Sequence, residues 1–134
     1  MTPLRISIVE DHPVLREVLQ EFLERLPGVE LVCVSASAEA ALADLDGKAP
    51  DLMLIDLSLP RMSGIELIRE LRQRVPGMRC AILSGHRSPV YVRQALEVGA
   101  DGYLLKGDPM EIERGIAAIV AGKRYVSPEL ADGP

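Results

Sequence analysis

Chemically active residues sit where apolar stretches end. "SIVEDHP" (7–13) closes an apolar run on two adjacent carboxylates, Glu10 and Asp11. "DLMLID" (51–56) ends on Asp56, "RCAILS" (79–84) on Ser84 and "GYLLK" (102–106) on Lys106. Two like charges ~4 Å apart at an effective dielectric of ~20 repel by roughly 4 kcal/mol. Acids paired at the end of a buried strand therefore need an offset: water, a basic neighbour, a proton or a metal ion. Three carboxylates, a hydroxyl and an ammonium suit magnesium-dependent phosphoryl transfer. Mg²⁺ takes oxygen ligands, typically one or two carboxylates with phosphate oxygens and water. A carboxylate can itself accept the phosphoryl group as an aspartyl-phosphate. The reaction then asks mainly for positioning and for neutralisation of the equatorial oxygens. Lys106 and the metal supply positive charge, and Ser84 supplies a hydrogen bond. Singly, each residue has a plainer reading, since an Asp after a strand is usually a turn or cap residue. Their joint occurrence carries the argument.

The elements that position these residues are legible from periodicity. Strands are expected at 5–9, 29–35, 51–56, 79–84 and 102–106. Helix spacing over 13–26 places Val14, Leu15, Val18, Leu19, Phe22, Leu23 and Leu26 on one face. Pro13 suits its first turn and Pro27-Gly28 its end. Further helices are expected at 37–45 after a Ser cap, and at 63–75, where Ser63 and Glu66 have capping-box spacing. The segments 88–100 and 108–122 each open on a capping residue followed by Pro and close near Gly. Five strands alternating with five helices predict one α/β domain with a mostly parallel sheet and helices on both faces. In such a sheet the functional crevice lies beyond the carboxyl ends of the strands, which is where the five residues fall.

Composition narrows the class. The 134 residues are 48% hydrophobic, enough for a real core, while 3% aromatics make that core aliphatic. The net charge of -5 argues against a chain that as a whole binds nucleic acid. There is no 18-residue apolar run, hence no expected membrane span, and no membrane partner is expected. Cys33 and Cys80 lie in separate apolar runs and read as reduced core residues, so a cytoplasmic setting is expected.

The ordered combination of Glu10-Asp11, "IDLSLPRMSG" (55–64), "LSGH" (83–86) and "GADGYLLK" (99–106) strongly resembles a bacterial two-component response-regulator receiver domain over about residues 4–122. The resemblance implies a flavodoxin-like (CheY-like) doubly wound fold, with five parallel strands in the order 2-1-3-4-5 and five helices. It implies that Asp56 is the phosphoacceptor and that a sensor histidine kinase is the donor. Mg²⁺ would be held by Asp11, Asp56, the backbone carbonyl of Ser58 and, through water, Glu10. Ser84 and Lys106 match the switch hydroxyl and the lysine that contacts the phosphoryl group. Tyr103 matches the aromatic that turns inward when the hydroxyl follows that group. His86 falls where side chains tune hydrolysis, although a solvated loop residue is an equal reading. His12 reads as a loop residue and Tyr91 as packing or interface. Gly107 stands where many members carry a Pro after a cis bond, which leaves that isomer open.

The stretch "GADGYLLKGDPMEIERGIAAIVAGKRYVSPEL" resembles the receiver end of the NarL/FixJ (LuxR-type) group. Members usually continue into a helix-turn-helix domain, so 123–134 is expected to be a linker stub of an excised receiver or of a naturally short regulator. DNA would be reached only through that absent domain. A homodimer or another partner surface, formed by the fourth helix, fifth strand and fifth helix, is the expected readout. Three other readings stay open: an aspartyl-phosphate phosphatase, a flavin or nucleotide binder, and a receiver that works without phosphorylation. Against the first, Ser58 stands where haloacid-dehalogenase-like enzymes place a second Asp. Against the second, no Gly-rich loop follows the first strand. The chain is expected to be a switch that phosphorylates itself rather than a turnover enzyme.

Overall fold

The computed structural model describes residues 2–45, 47 and 49–131. Strands β1 (Leu4–Val9), β2 (Val29–Ser35), β3 (Leu52–Asp56), β4 (Arg79–Ser84), β5 (Gly102–Leu105) and β6 (Tyr125–Val126) form one sheet in the order β2-β1-β3-β4-β5-β6. Every neighbouring pair is parallel. The five expected strands and their order are present. A sixth strand and a sixth helix correct the expected five of each, and both lie in the segment read as a stub. β6 is two residues long, too short to announce itself by alternation.

Helices α1 (Pro13–Glu24), α2 (Ala38–Asp44), α3 (Gly64–Arg74), α4 (Pro89–Glu97), α5 (Pro109–Val120) and α6 (Pro128–Ala131) connect or follow the strands. Local chemistry sets where they start. Ser37, Ser88 and Asp108 accept hydrogen bonds from backbone N–H groups of the first turns of α2, α4 and α5. Ser63 and Glu66 form the reciprocal capping box of α3. His12 caps α1, its Nδ1 accepting from Leu15 N–H at 3.3 Å.

Alternation along the strands divides the core. Ile6, Ile8, Leu52, Leu54, Ala81, Leu83 and Leu104 face one side, covered by α1 and α5. Val9, Met53, Ile55, Cys80, Ile82 and Tyr103 face the other, covered by α2, α3 and α4. Every residue of β3 is buried, as expected for a strand covered on both faces. The thiol of Cys80 is pushed up to about 12 by this burial. Both cysteines are free.

The expected apolar face of α1 is only half used. Leu19 and Leu23 are buried, whereas Val14 and Val18 are 62% and 58% exposed. The first turns of α1 instead border an apolar groove of about 200 Å³ whose far wall includes Pro109 and Ile112 of α5. Among the described residues no helix is long and apolar enough to cross a membrane.

Candidate functional site

The parallel register brings the carboxyl ends of β1, β3, β4 and β5 to one edge, where an open cleft of about 690 Å³ contains Glu10, Asp11, Asp56, Ser58, Ser84, His86 and Lys106. One oxygen from each of Glu10, Asp11 and Asp56 lies within 4.8 Å of the others. Glu10 and Asp56 are 2% and 8% exposed, while Asp11 is open to solvent. Lys106 Nζ donates to Glu10 Oε1 at 2.6 Å and to Asp56 Oδ1 at 3.2 Å. The offset sought for the paired acids is thus partly a basic neighbour. One ammonium among three carboxylates still leaves the cluster net negative.

The titration of these groups follows from that geometry. Burial pushes the Asp56 carboxyl up and the charge of Glu10 adds to it, with Lys106 pulling only part of the way back. Burial works against the charge on Lys106, yet its hydrogen bond to Glu10 and the charge of Asp56 outweigh this and raise it. Lys106 is therefore a firmly held cation beside a carboxylate that burial disfavours.

Two glycines shape the backbone here. A Cβ on Gly64 would lie 2.4 Å from the carbonyl oxygen of Asp56, so the loop after β3 closes onto α3 only through a glycine. Gly107, at φ +116°, turns the chain directly after Lys106. Among the described residues no peptide bond is cis, so the Lys106–Gly107 bond is trans.

Ser84 is fully buried, and its Oγ accepts the His86 backbone N–H at 2.9 Å. The Tyr103 hydroxyl donates to the His86 carbonyl at 2.9 Å, and its ring is already fully inside. Burial raises its hydroxyl pKa, and the neighbouring Ser84 side chain offsets only part of this. The His86 ring reaches Ser58, with Nε2 3.0 Å from Oγ, and packs edge-on against Tyr91 at 5.2 Å between centroids. His86 thus joins the loop after β4 to the loop after β3.

Three contributors escaped the sequence reading. Arg16 Nη1 donates to the carbonyl of Glu10 at 2.9 Å, bracing the acidic loop from one helical turn beyond His12, a side-chain-to-backbone contact that residue types alone do not announce. Glu39 of α2 accepts the Met62 N–H at 3.3 Å and lies 3.6 Å from the guanidinium of Arg61, a residue held at φ 61°. It anchors the loop after Asp56 from another helix, which no local spacing reveals. The third is Arg87, paired with Glu129.

The response regulator receiver domain model matches residues 6–119. The chain belongs to that family. The receiver domain is 39% identical over 128 residues to the transcriptional activator protein ExaE of Pseudomonas putida, covering 94% of this chain and 59% of that protein. It is 31% identical over 129 residues to the nitrate/nitrite response regulator protein NarL of Escherichia coli K12, covering 96% and 60%. The crystal structure of a LuxR-family two-component response regulator from Aurantimonas sp. SI85-9A1 superposes with a TM-score of 0.92 at 37% identity, covering 97% of this chain and 94% of that one. The chain spans between 54% and 64% of the length of the curated relatives it matches.

Proposed function

We propose that this receiver takes a phosphoryl group from a phosphohistidine of a sensor histidine kinase onto Asp56, in a Mg²⁺-dependent reaction, and that the modification switches a partner or dimer surface. One observation carries the reading: three carboxylates within 4.8 Å of one another, with Lys106 bridging Glu10 and Asp56. An Asp56 oxygen attacks phosphorus, the O–P bond forms as the P–N bond to the donor imidazole breaks, and the imidazole departs.

The donor set fits a hard cation, being all oxygen and still net negative after Lys106 is counted. Asp11 and Asp56, the Ser58 carbonyl and, through water, Glu10 would hold it. Bound there, Mg²⁺ supplies neutralisation of the phosphoryl oxygens. The chain's own residues do the rest. Lys106 sits between Glu10 and Asp56, placed to meet the phosphoryl oxygens as they arrive. Ser84, one hydrogen bond from the His86 backbone, turns its hydroxyl toward the modified side chain. Tyr103, held to the His86 carbonyl, registers that movement. His86 and Ser58, joined side chain to side chain, flank the approach of water and set how long the phosphoryl group lasts.

Residues 1–122 carry this machinery, and 123–134 lead toward an output domain of the kind found in NarL/FixJ-type regulators. Through such a domain the switch would control transcription in the cytoplasm, with DNA contacted only there. No turnover of a small substrate belongs to this reading. Incubation with acetyl phosphate, read by intact mass, tests it. One phosphoryl group that needs both Mg²⁺ and Asp56 supports the assignment; undiminished uptake by Asp56→Asn contradicts it.

A further inference from the structure

The outer edge of β5 is occupied by the chain's own residues 123–131, and the occupancy is built into the domain. Tyr125 N–H donates to the Asp101 carbonyl at 3.1 Å and Ser127 N–H to the Tyr103 carbonyl at 3.0 Å. Leu105 N–H donates to Ser127 Oγ at 2.8 Å, so a side chain provides the acceptor where the two-residue strand stops. Ser127 has no exposed surface. A glycine in the body of the domain makes room for Tyr125. A Cβ on Gly102 would stand 2.8 Å from the Tyr125 carbonyl oxygen and as close to Ile119, whereas one on Gly115 would meet Leu104 before it met the Tyr125 ring at 3.2 Å.

The same segment meets Tyr103, the core cluster around it and the loop that follows Ser84. It binds the backbone of Tyr103 through Ser127. Leu130 packs against the core cluster that contains Tyr103 and Ala95. Glu129 pairs with Arg87, the residue after His86 in the loop that starts at Ser84. That ion pair is solvent-exposed on both sides, so it contributes little energy and instead reports where the loop is. The edge pairing and the buried Ser127 carry the weight.

Resting on Asp56 as acceptor, we propose that residues 123–131 are a strap whose docking on β5 is coupled to phosphorylation: modification loosens the strap, and a docked strap opposes modification. Ser84 Oγ now accepts the His86 N–H. When that hydroxyl turns to the phosphoryl group, the 85–87 stretch must give. Arg87 then leaves Glu129, and the His86 carbonyl shifts against the Tyr103 hydroxyl. Coupling between two sites is reciprocal, so loosening the strap by substitution must ease phosphorylation.

Amide hydrogen exchange on the 134-residue chain in Mg²⁺, with and without acetyl phosphate, tests this when phosphoryl stoichiometry is weighed by intact mass in the same samples. Exchange at residues 125–130 and at Leu105 should rise roughly fivefold or more on modification. Unchanged or slower exchange there in a fully phosphorylated sample overturns the strap. Glu129→Ala, a surface substitution, and Ser127→Ala form a second arm that needs no phosphoryl group. Ser127→Ala should speed exchange at 85–88 in the unmodified chain and raise the phosphorylated fraction at fixed acetyl phosphate, whereas Glu129→Ala, which removes only an exposed ion pair, should do so slightly at most. If no phosphoryl group enters the wild type, the Asp56 reading fails by the mass alone. The coupling to phosphorylation falls with it, and the unmodified arm then decides the link between strap and loop, with faster exchange at 85–88 supporting it and unchanged exchange refuting it.

Discussion

Asp56→Asn should make the metal-free protein more stable, although it removes an ion pair. Lys106 Nζ lies 3.2 Å from Asp56, an attraction of about 5 kcal/mol at an effective dielectric of ~20. Against it stand Glu10 and Asp11, whose oxygens lie within 4.8 Å; at that limiting distance each repels by about 3.5 kcal/mol on the same scale, and by more if closer. Asp11 is solvent-exposed and its share is screened to roughly half, so repulsion also comes to about 5 kcal/mol. The charge terms nearly cancel, and burial of Asp56 decides. A buried amide is cheaper than a buried carboxylate, by about 1–2 kcal/mol in an incompletely compensated site. The Lys106–Glu10 pair, 2.6 Å apart, does not involve Asp56 and should persist in the variant. Urea unfolding at pH 7 in EDTA is the assay. The pH dependence follows from the raised Asp56 value. A carboxyl whose folded value lies above its unfolded one is favoured by folding when protonated, so wild type loses stability as pH rises through the folded value. The variant's advantage is therefore full at neutral pH and fades in acid. Millimolar Mg²⁺ should reverse the order, since a cation bound to the folded state alone stabilises it. A variant less stable than wild type by 1 kcal/mol or more without metal would refute the reasoning.

Lys106→Met leaves the buried Glu10 carboxylate without its cation and should cost about 2–3 kcal/mol, part of it restored by Mg²⁺; a change below ~0.5 kcal/mol in urea unfolding would contradict this. Gly64→Ala places a methyl against the Asp56 carbonyl, and should both destabilise the fold by about 2 kcal/mol and slow phosphoryl uptake at least tenfold. Uptake at the wild-type rate would show that the loop absorbs the methyl. Native alkylation at pH 8 should label Cys33, which is partly exposed, and spare Cys80, whose thiol is buried and raised to about 12. Two labels before unfolding would mean that the face of the sheet carrying Cys80 opens.

Much of the site was readable in advance because chain-local chemistry specifies it. Ser63-Glu66, Ser88-Pro89 and Asp108-Pro109 start their helices where the sequence indicates. The strand-ending residues meet at one edge because parallel strands share a direction. What stayed hidden depends on partners far along the chain. β6 docks where Gly102 leaves room for the Tyr125 carbonyl, and no pattern within 123–131 says so. Glu39 steadies the loop after Asp56 across more than twenty residues of sequence. The exposed start of α1 also escaped, since an apolar stripe shows which face is apolar and not how far its covering extends.

The central claim is that Asp56 is the acceptor, and borohydride reduction tests it most directly. Reduction of an aspartyl-phosphate yields homoserine, which peptide mass spectrometry places at one residue. The account predicts homoserine at position 56 in chain exposed to acetyl phosphate and Mg²⁺, and at no other acidic residue. Homoserine at position 11, or none in a sample that has gained a phosphoryl group, would contradict it.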